Sequence, residues 1–331
     1  IGVSGIQQYE VFWDICKTTL ATVNTSDLSD CHVIRKMNDF SVVHIDEWYD
    51  IGNIDALKRT RSKIKGTIHV LDKEDENIFV FDDFVIKFFY NKKICYDRVT
   101  RTNNLKGLVP NLISSTENFY KYEYVKADLL ADVIDTEKFN NLLNWSIKNI
   151  WIPKEDKNYR NNALSFYKDK TILRSNKFLE KYSLEDKIDI INGIEVPSLE
   201  SLINGIDFDS IIGNQPTGFH GDFILDNILF KDHQFTLIDW RQDFAGNLEI
   251  GDLYYDLAKL NHNLSINHDI VNKNLFDSSP DNCYILINSK LNECRDILHL
   301  FINNNEYDLK KVEILTAIIW LNMAPLHEYP F

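Results

Sequence analysis

A chain of 331 residues that is 44% hydrophobic can bury one large core or two modest ones, and its length predicts two lobes. The formal net charge of -14 argues against a nucleic-acid or anionic-membrane partner, because such partners need a basic face, and it favours a cationic substrate. The sequence has no run of ~18 apolar residues and no signal-peptide pattern, so we expect a cytoplasmic protein without membrane insertion. Its five cysteines lack the spacing of metal ligands, which indicates reduced thiols.

Residues 1–60 form the first predicted segment, which reads as though it starts inside a larger protein. His44 to Asn53, HIDEWYDIGN, resembles the closing segment of sugar-nucleotidyltransferase domains, where a W-x-D-x-G pattern carries a metal-binding aspartate at the position of Asp50. Such enzymes have a glycine-rich nucleotide loop near their start. That loop is missing here, so we expect no transferase activity from this segment. It is either the C-terminal remnant of a fused nucleotidyltransferase domain or a strand-helix extension that packs on the next domain.

Residues 61–125 are predicted to form a small β-rich lobe. Three apolar runs, 67–71, 77–81 and 84–89, are separated by acidic residues and predict an antiparallel meander. Lys87 alternates with apolar residues in the third run, and a lysine on a buried sheet face is costly unless a charge pairs with it. We therefore expect a charged partner for Lys87, or else a solvent-facing position on an edge strand.

Residues 126–331 are predicted to form a larger, mostly helical lobe that follows an alternating strand at 119–125. Apolar residues recur at three- and four-residue spacing in 136–150 and 164–182, which is typical of amphipathic helices. Two further helices are predicted near the end of the chain.

The candidate chemistry lies between Phe219 and Trp240, FHGDFILDNILFKDHQFTLIDW. Two short apolar runs joined by the polar residues 231–234 predict a β-hairpin. A hairpin brings its ends together, so Asn227 at its entrance and Asp239 at its exit fall side by side, with Asp222 on the preceding loop. Two carboxylates and a carboxamide at one point predict a Mg²⁺ site, because this ion prefers oxygen ligands and takes one or two carboxylates plus phosphate oxygens.

Three motifs in this region have the order and spacing of a known family. They are HGDFILDN from His220 to Asn227, IDW from Ile238 to Trp240, and GDLYYDLA from Gly251 to Ala258. With these motifs the chain resembles the aminoglycoside phosphotransferase and choline kinase family of small-molecule kinases. The resemblance implies an α+β, two-lobed protein-kinase-like fold, with a small antiparallel β N-lobe and a larger, mostly helical C-lobe.

The resemblance also implies a role for each matching residue in a phosphoryl transfer that uses ATP and Mg²⁺. Asp222 accepts or orients the proton of the attacking hydroxyl group, and His220 organises the loop. Asn227 and Asp239 hold Mg²⁺, and Lys87 binds the α- and β-phosphates.

The segment between the two lobes is implied to bind the nucleotide base. The backbone of Glu123, Tyr124 and Val125 is expected to hydrogen-bond adenine, with GTP as the alternative to ATP. In the third motif, Asp252 is either placed by the dipole of the helix N-terminus or braces the catalytic loop through His220.

Two departures from the family pattern concern the phosphate site. The chain has no glycine between Gly66 and Gly107, so the glycine-rich phosphate loop is missing. The glutamate that pairs with the strand lysine is missing as well. Asp97 is the only acidic residue in the segment that follows the third apolar run, and we predict it as the partner of Lys87.

The sequence therefore predicts an ATP-dependent phosphotransferase that acts on a hydroxyl of a small molecule. A sugar or an amino alcohol such as choline is the expected acceptor, and the nucleotidyltransferase-like segment suggests supply of a nucleotide-activated precursor for surface polysaccharide. The alternatives are a non-catalytic nucleotide-binding or regulatory pseudokinase and an aminoglycoside-type antibiotic phosphotransferase. A protein kinase is disfavoured, because the stretch after Asp239 is too short for an activation segment.

Overall fold

The computed structural model describes residues 6–21, 29–37, 52–53, 56, 75–273 and 275–326. The chain divides into two compact units, 1–71 and 72–331. Asp50 and the predicted strand 67–71 lie outside the described residues. In the first unit the structure describes helices α1, Tyr9–Leu20, and α2, Asp30–Ile34. Within the described ranges, no helix is long and apolar enough to cross a membrane.

The second unit is an α+β structure with a small sheet-based lobe and a larger helical lobe, as the sequence predicts. Its helices are α3 Lys92–Asn104, α4 Leu130–Val133, α5 Thr136–Asn149, α6 Tyr159–Tyr182, α7 Leu199–Asn204, α8 Leu253–Ser265, α9 His268–Asn272, α10 Ser289–Asn304 and α11 Leu309–Met323. Its strands are β1 Glu76–Val80, β2 Phe84–Phe89, β3 Leu112–Ser115, β4 Phe119–Glu123, β5 Asp128–Leu129, β6 Asp189–Ile191, β7 Ile194–Val196, β8 Ile228–Lys231, β9 Gln234–Leu237, β10 Phe276–Ser279 and β11 Asn282–Ile285.

The small lobe is an antiparallel sheet in the order β1-β2-β4-β3, with α3 packed against it. Alternate residues of β2 are buried, so Lys87 shares the covered face with Val85 and Phe89. Lys87 is 2% exposed, which rules out the alternative of a solvent-facing edge lysine. Helix α3 begins at the side chain of Asn91, whose oxygen accepts hydrogen bonds from two backbone amides of the first turn.

The large lobe is built around α8, which is buried along most of its length. Leu257, Ala258 and Leu260 have no exposed surface, and α8 packs against both α10 and α11. Its buried polar residues Asp256, Asn261 and Asn263 have hydrogen-bond partners in neighbouring segments, as buried polar groups require. Helix α8 is therefore held firmly in the large lobe, and it contacts the catalytic loop through Asp256.

The predicted β-hairpin is present as β8 and β9, which pair antiparallel with Ile228 opposite Leu237. The two turn residues, Asp232 and His233, have φ of 49° and 62°. Positive φ at both central positions is the requirement of a type I′ turn, whose twist matches that of the two strands. The turn therefore fixes the register that delivers Asp239 to the end of the hairpin.

Candidate active site

Asp222 and Asn227 lie together on the loop before the hairpin, as the sequence predicts. The Asn227 carboxamide nitrogen donates to the Asp222 carbonyl at 2.9 Å and to Asp222 Oδ2 at 3.1 Å. With its nitrogen so engaged, Asn227 turns its side-chain oxygen away from Asp222. The Asp222 side chain is 34% exposed, so a bound molecule can reach it.

Lys259 of α8 contacts the same carboxylate. Its Nζ lies 2.7 Å from Asp222 Oδ1, and only 13% of its side chain is exposed. Burial works to lower the pKa of Lys259, but the Asp222 carboxylate reverses this effect and raises the pKa. Lys259 was not predicted from the sequence, although it directly follows the GDLYYDLA motif and lies three residues after Asp256, one helical turn away.

His220 holds the loop against the hairpin. Its Nδ1 accepts a hydrogen bond from the Asp222 amide at 3.2 Å, so Nε2 carries the proton and donates to the Ile238 carbonyl at 3.0 Å. Burial lowers the pKa of His220 to about 4, which keeps the ring neutral. Both ring nitrogens are used inside the protein.

Asp256 braces the catalytic loop, and of the two roles predicted for Asp252 the structure supports the one at the helix N-terminus. Asp256 accepts hydrogen bonds from the amides of His220 at 2.8 Å and Gly221 at 2.7 Å, and from the Trp151 indole at 3.1 Å. Burial raises its pKa to about 6. Asp252 instead caps α8 at the Tyr254 amide and does not contact His220.

Gly221 occupies a position in the loop that needs glycine. Its φ is +89°, and a Cβ added there would lie 2.6 Å from Cβ of Arg241. A side chain would therefore strain the backbone and displace Arg241. The tight approach brings the loop and the end of the hairpin together.

Asp239 lies at the end of the hairpin and forms ion pairs with two cations of the small lobe. Lys87 Nζ and Arg98 Nη1 lie 2.8 Å and 2.6 Å from Asp239 Oδ1. The backbone of Asp239 is left-handed, with φ of 57°, which costs a non-glycine residue on the order of 1–3 kcal/mol. Such strain is typical of functional positions, where it aims a side chain.

The predicted pairing of Lys87 with Asp97 is wrong. Asp97 Oδ2 is bound by Lys93 of the same helix at 2.5 Å. Besides Asp239, which is the nearer partner of Lys87, a second carboxylate approaches this lysine: Glu76 of β1 lies 3.9 Å from Lys87 and 3.7 Å from Arg98. Because β1 pairs with β2, this second carboxylate comes from a neighbouring strand, whereas the sequence predicted one from the helix that follows β2.

Arg101 ties the small lobe to the catalytic loop. It is 1% exposed, and burial lowers its pKa to about 9. Its guanidinium donates to four backbone carbonyls, those of Phe219 at 2.5 Å, His220 at 3.2 Å, Leu248 at 3.1 Å and Arg241. One side chain therefore fixes the two segments that carry Asp222 and Asp239.

The predicted base-binding segment runs from the end of β4 into the connection to the large lobe. Two of its amides donate within the protein, Glu123 to the Asn111 carbonyl and Tyr124 to the Asp83 carbonyl, both at 3.0 Å. The Val125 carbonyl accepts from the Ala127 amide at 3.0 Å. The Val125 amide is therefore the best remaining candidate for a contact with a nucleotide base.

The donors near Asp239 suit a cation that arrives with phosphate. Among the residues that the structure describes, no group of three or more His, Cys, Asp and Glu side chains could hold a metal ion by itself. One carboxylate from Asp239 and one oxygen from Asn227 fit Mg²⁺, which keeps phosphate and water oxygens in its shell.

The structure resembles solved structures of small-molecule kinases. The streptomycin–ATP complex of APH(2")-IIa has a TM-score of 0.47 and 14% identity, over 84% of this chain and 91% of that chain. A choline/ethanolamine kinase family protein from Mesorhizobium loti has a TM-score of 0.42 and 10% identity, over 77% and 78%. A glucosamine kinase has a TM-score of 0.37 and 10% identity, over 76% and 71%. No protein-family model and no curated protein matches the sequence.

Proposed function

We propose that this chain is a small-molecule kinase that transfers the γ-phosphoryl group of ATP to a hydroxyl group. Two close pairs support the proposal, Asn227 with Asp222 and Lys87 with Asp239. The Ile238 amide, next to Asp239 in the chain, donates to the Asn227 carbonyl at 2.9 Å and so links the two pairs. Phosphoryl transfer requires positioning and charge neutralisation more than covalent chemistry, and these residue types supply both.

Asp222 is the proposed catalytic residue. It is the reachable carboxylate of the loop, and it receives or orients the proton of the attacking hydroxyl. Lys259 favours its ionised form through their 2.7 Å contact. His220 is a positioning residue, because its hydrogen bonds fix the Asp222 amide to the hairpin.

The nucleotide phosphates are proposed to lie beside Lys87 and Asp239. Mg²⁺ held by Asn227 and Asp239 supplies charge neutralisation to the phosphate oxygens. Lys87 contacts the inner phosphates, and Glu76 helps to orient it in place of a helix glutamate. Within the predicted segment Glu123 to Val125, the Val125 amide is proposed to bind adenine, with GTP as the alternative donor.

A non-catalytic pseudokinase is the second candidate, and the double ion pair at Asp239 favours it. Lys87 and Arg98 both bind Asp239 Oδ1, so Mg²⁺ must use the other oxygen or displace a cation. An aminoglycoside-type phosphotransferase is the third candidate. Fusion to a nucleotidyltransferase stays a prediction, since Asp50 lies outside the described residues, and so does the role in polysaccharide supply that was inferred from it. Location in the cytoplasm stays a prediction as well.

The test is ADP release from ATP and Mg²⁺ with a panel of sugars, amino alcohols and aminoglycosides, with Asp222→Asn as the control. Turnover that Asp222→Asn abolishes supports the kinase. Turnover restricted to aminoglycosides supports the antibiotic phosphotransferase. Binding of ATP without turnover of any acceptor supports the pseudokinase.

A further inference from the structure

Three cations surround two aromatic rings next to Asp222. Lys170 Nζ, on α6, lies 3.5 Å from the Tyr255 hydroxyl and 4.4 Å from the centre of the Phe166 ring. The guanidinium carbon of Arg241 lies 4.9 Å from the same Phe166 centre. Lys259, four residues after Tyr255 on α8, contacts Asp222. We call Lys170, Arg241 and Lys259 the basic cluster.

The basic cluster carries more positive charge than the protein neutralises. Lys259 is paired with Asp222, but among the described residues no carboxylate oxygen lies within 4.0 Å of a side-chain nitrogen of Lys170 or Arg241. Within the part of the chain that the structure describes, the Arg241 side chain donates to one acceptor, the backbone carbonyl of Asp243 at 2.9 Å. Contacts with aromatic rings hold these cations in place without cancelling their charge.

The titration of neighbouring groups reflects this excess charge. Burial lowers the pKa of Lys170 to about 8, and the nearby Arg241 and Arg174 act in the same direction. Burial alone would raise the pKa of the Tyr255 phenol, yet Lys170, Arg241 and Lys259 together lower it. The region around the Tyr255 hydroxyl is therefore a site of positive potential.

Lys170 of the basic cluster is repelled by nearby cations, including Arg174 on its own helix. Lys170 and Arg174 lie four residues apart on α6, and like charges at this spacing repel. Arg174 has a structural partner, the Asn322 carbonyl in the last turn of α11 at 2.7 Å, whereas the contacts of Lys170 with described residues are those with the Tyr255 hydroxyl and the two rings. A bound anion would remove the repulsion that the protein leaves in place.

We propose that the acceptor carries an anionic group, a carboxylate or a phosphate, which Lys170 and Arg241 bind while its hydroxyl lies against Asp222. This inference rests on the proposed kinase function and names the substrate class. It reverses the expectation of a cationic substrate, which came from the net charge of -14. Local charge decides recognition, and the charge beside Asp222 is positive.

The test measures binding of sugars to the full chain saturated with ADP and Mg²⁺, so that the nucleotide site is already filled. Titration calorimetry compares glucuronate and glucose 6-phosphate with glucose, glucosamine and choline. The variant is Lys170→Gln, and Lys168→Gln is the matched control, because Lys168 is exposed on the same helix. Tighter binding of glucuronate would identify the anionic group of the acceptor as a carboxylate, and tighter binding of glucose 6-phosphate would identify it as a phosphate.

We expect at least one anionic sugar to bind about tenfold or more tightly than glucose, and Lys170→Gln to remove this preference while Lys168→Gln keeps it. Equal or tighter binding of glucose, glucosamine or choline would overturn the inference and leave the kinase proposal standing. Binding of no probe would overturn it as well. A Lys170→Gln variant that loses affinity for ADP and Mg²⁺ instead would assign the cluster to the nucleotide. Failure of the wild-type chain to bind ADP and Mg²⁺ would contradict the kinase proposal itself.

Discussion

Lys259 Nζ lies 2.7 Å from Asp222 Oδ1, which joins the central helix of the large lobe to the catalytic loop. Replacement of Lys259 by Met is expected to lower kcat about 10- to 100-fold, because Asp222 loses the charge-assisted contact that holds its carboxylate in position. ATP affinity should stay within about twofold. Lys273→Met is the control, since Lys273 forms a comparable pair with Asp269 at 2.8 Å on the exposed surface. Equal kcat values for the two variants would refute this role.

Asp222→Asn is expected to lower kcat by roughly 10²–10⁴-fold, the usual contribution of a positioned general base. Asparagine can still accept the hydrogen bond from Asn227 but cannot take a proton. Steady-state kinetics and ATP titration should show lost turnover with retained ATP binding. Asp232→Asn, at the exposed hairpin turn, is the matched control and should keep full activity. A fully active Asp222→Asn enzyme would remove Asp222 from the mechanism.

Arg101→Gln is expected to destabilise the protein by roughly 3–5 kcal/mol, because it leaves several buried carbonyl groups without a donor. Urea denaturation measures this loss. Arg160→Gln is the control, because the Arg160–Asp209 pair is exposed on the surface, and the change should leave the stability close to that of the wild-type chain. Similar losses in the two variants would show that Arg101 does not tie the lobes together.

The burial of His220 predicts a dependence of stability on pH. The pKa of His220 is about 4 in the folded chain, below the ordinary value of 6.5. Between these two pH values the unfolded chain therefore binds a proton at His220 that the folded chain does not bind. The contribution of His220 to stability is therefore complete above pH 6.5 and is lost as pH falls towards 4.

His220→Gln tests this prediction by comparison with the wild type. The stability difference between the two chains should shrink on acidification from pH 7 to pH 4 by on the order of 3 kcal/mol. Asp256 does not disturb the comparison, because it is present in both chains. A difference that stays constant with pH would show that His220 is not held neutral.

The sequence was sufficient for the parts of the site that local chain geometry determines. The hairpin follows from two apolar runs and a four-residue polar turn, and it places Asn227 and Asp239 without any tertiary contact. The helical lobe follows from apolar spacing in the same way. These features depend on residues close together in the chain, so periodicity predicts them.

The remaining contacts depend on packing between distant segments. Glu76 reaches Lys87 only because β1 pairs with β2, whereas Asp97 was predicted from its position in the chain and lies against Lys93 instead. Arg98 and Asp239 meet across 141 positions. Net charge is a weak guide for a similar reason, since it averages over the whole surface and gives no information on the three cations near Tyr255.

The central claim is that Asn227, Asp239 and Lys87 form one site for ATP and Mg²⁺ beside Asp222. The most direct measurement is the affinity for ATP with and without Mg²⁺, by titration calorimetry, of the wild-type chain and Asp239→Asn. We expect Mg²⁺ to tighten ATP binding by about tenfold or more in the wild-type chain and to have little effect in Asp239→Asn, because the carboxylate that holds the ion is lost. The same Mg²⁺ dependence in both chains would contradict the account.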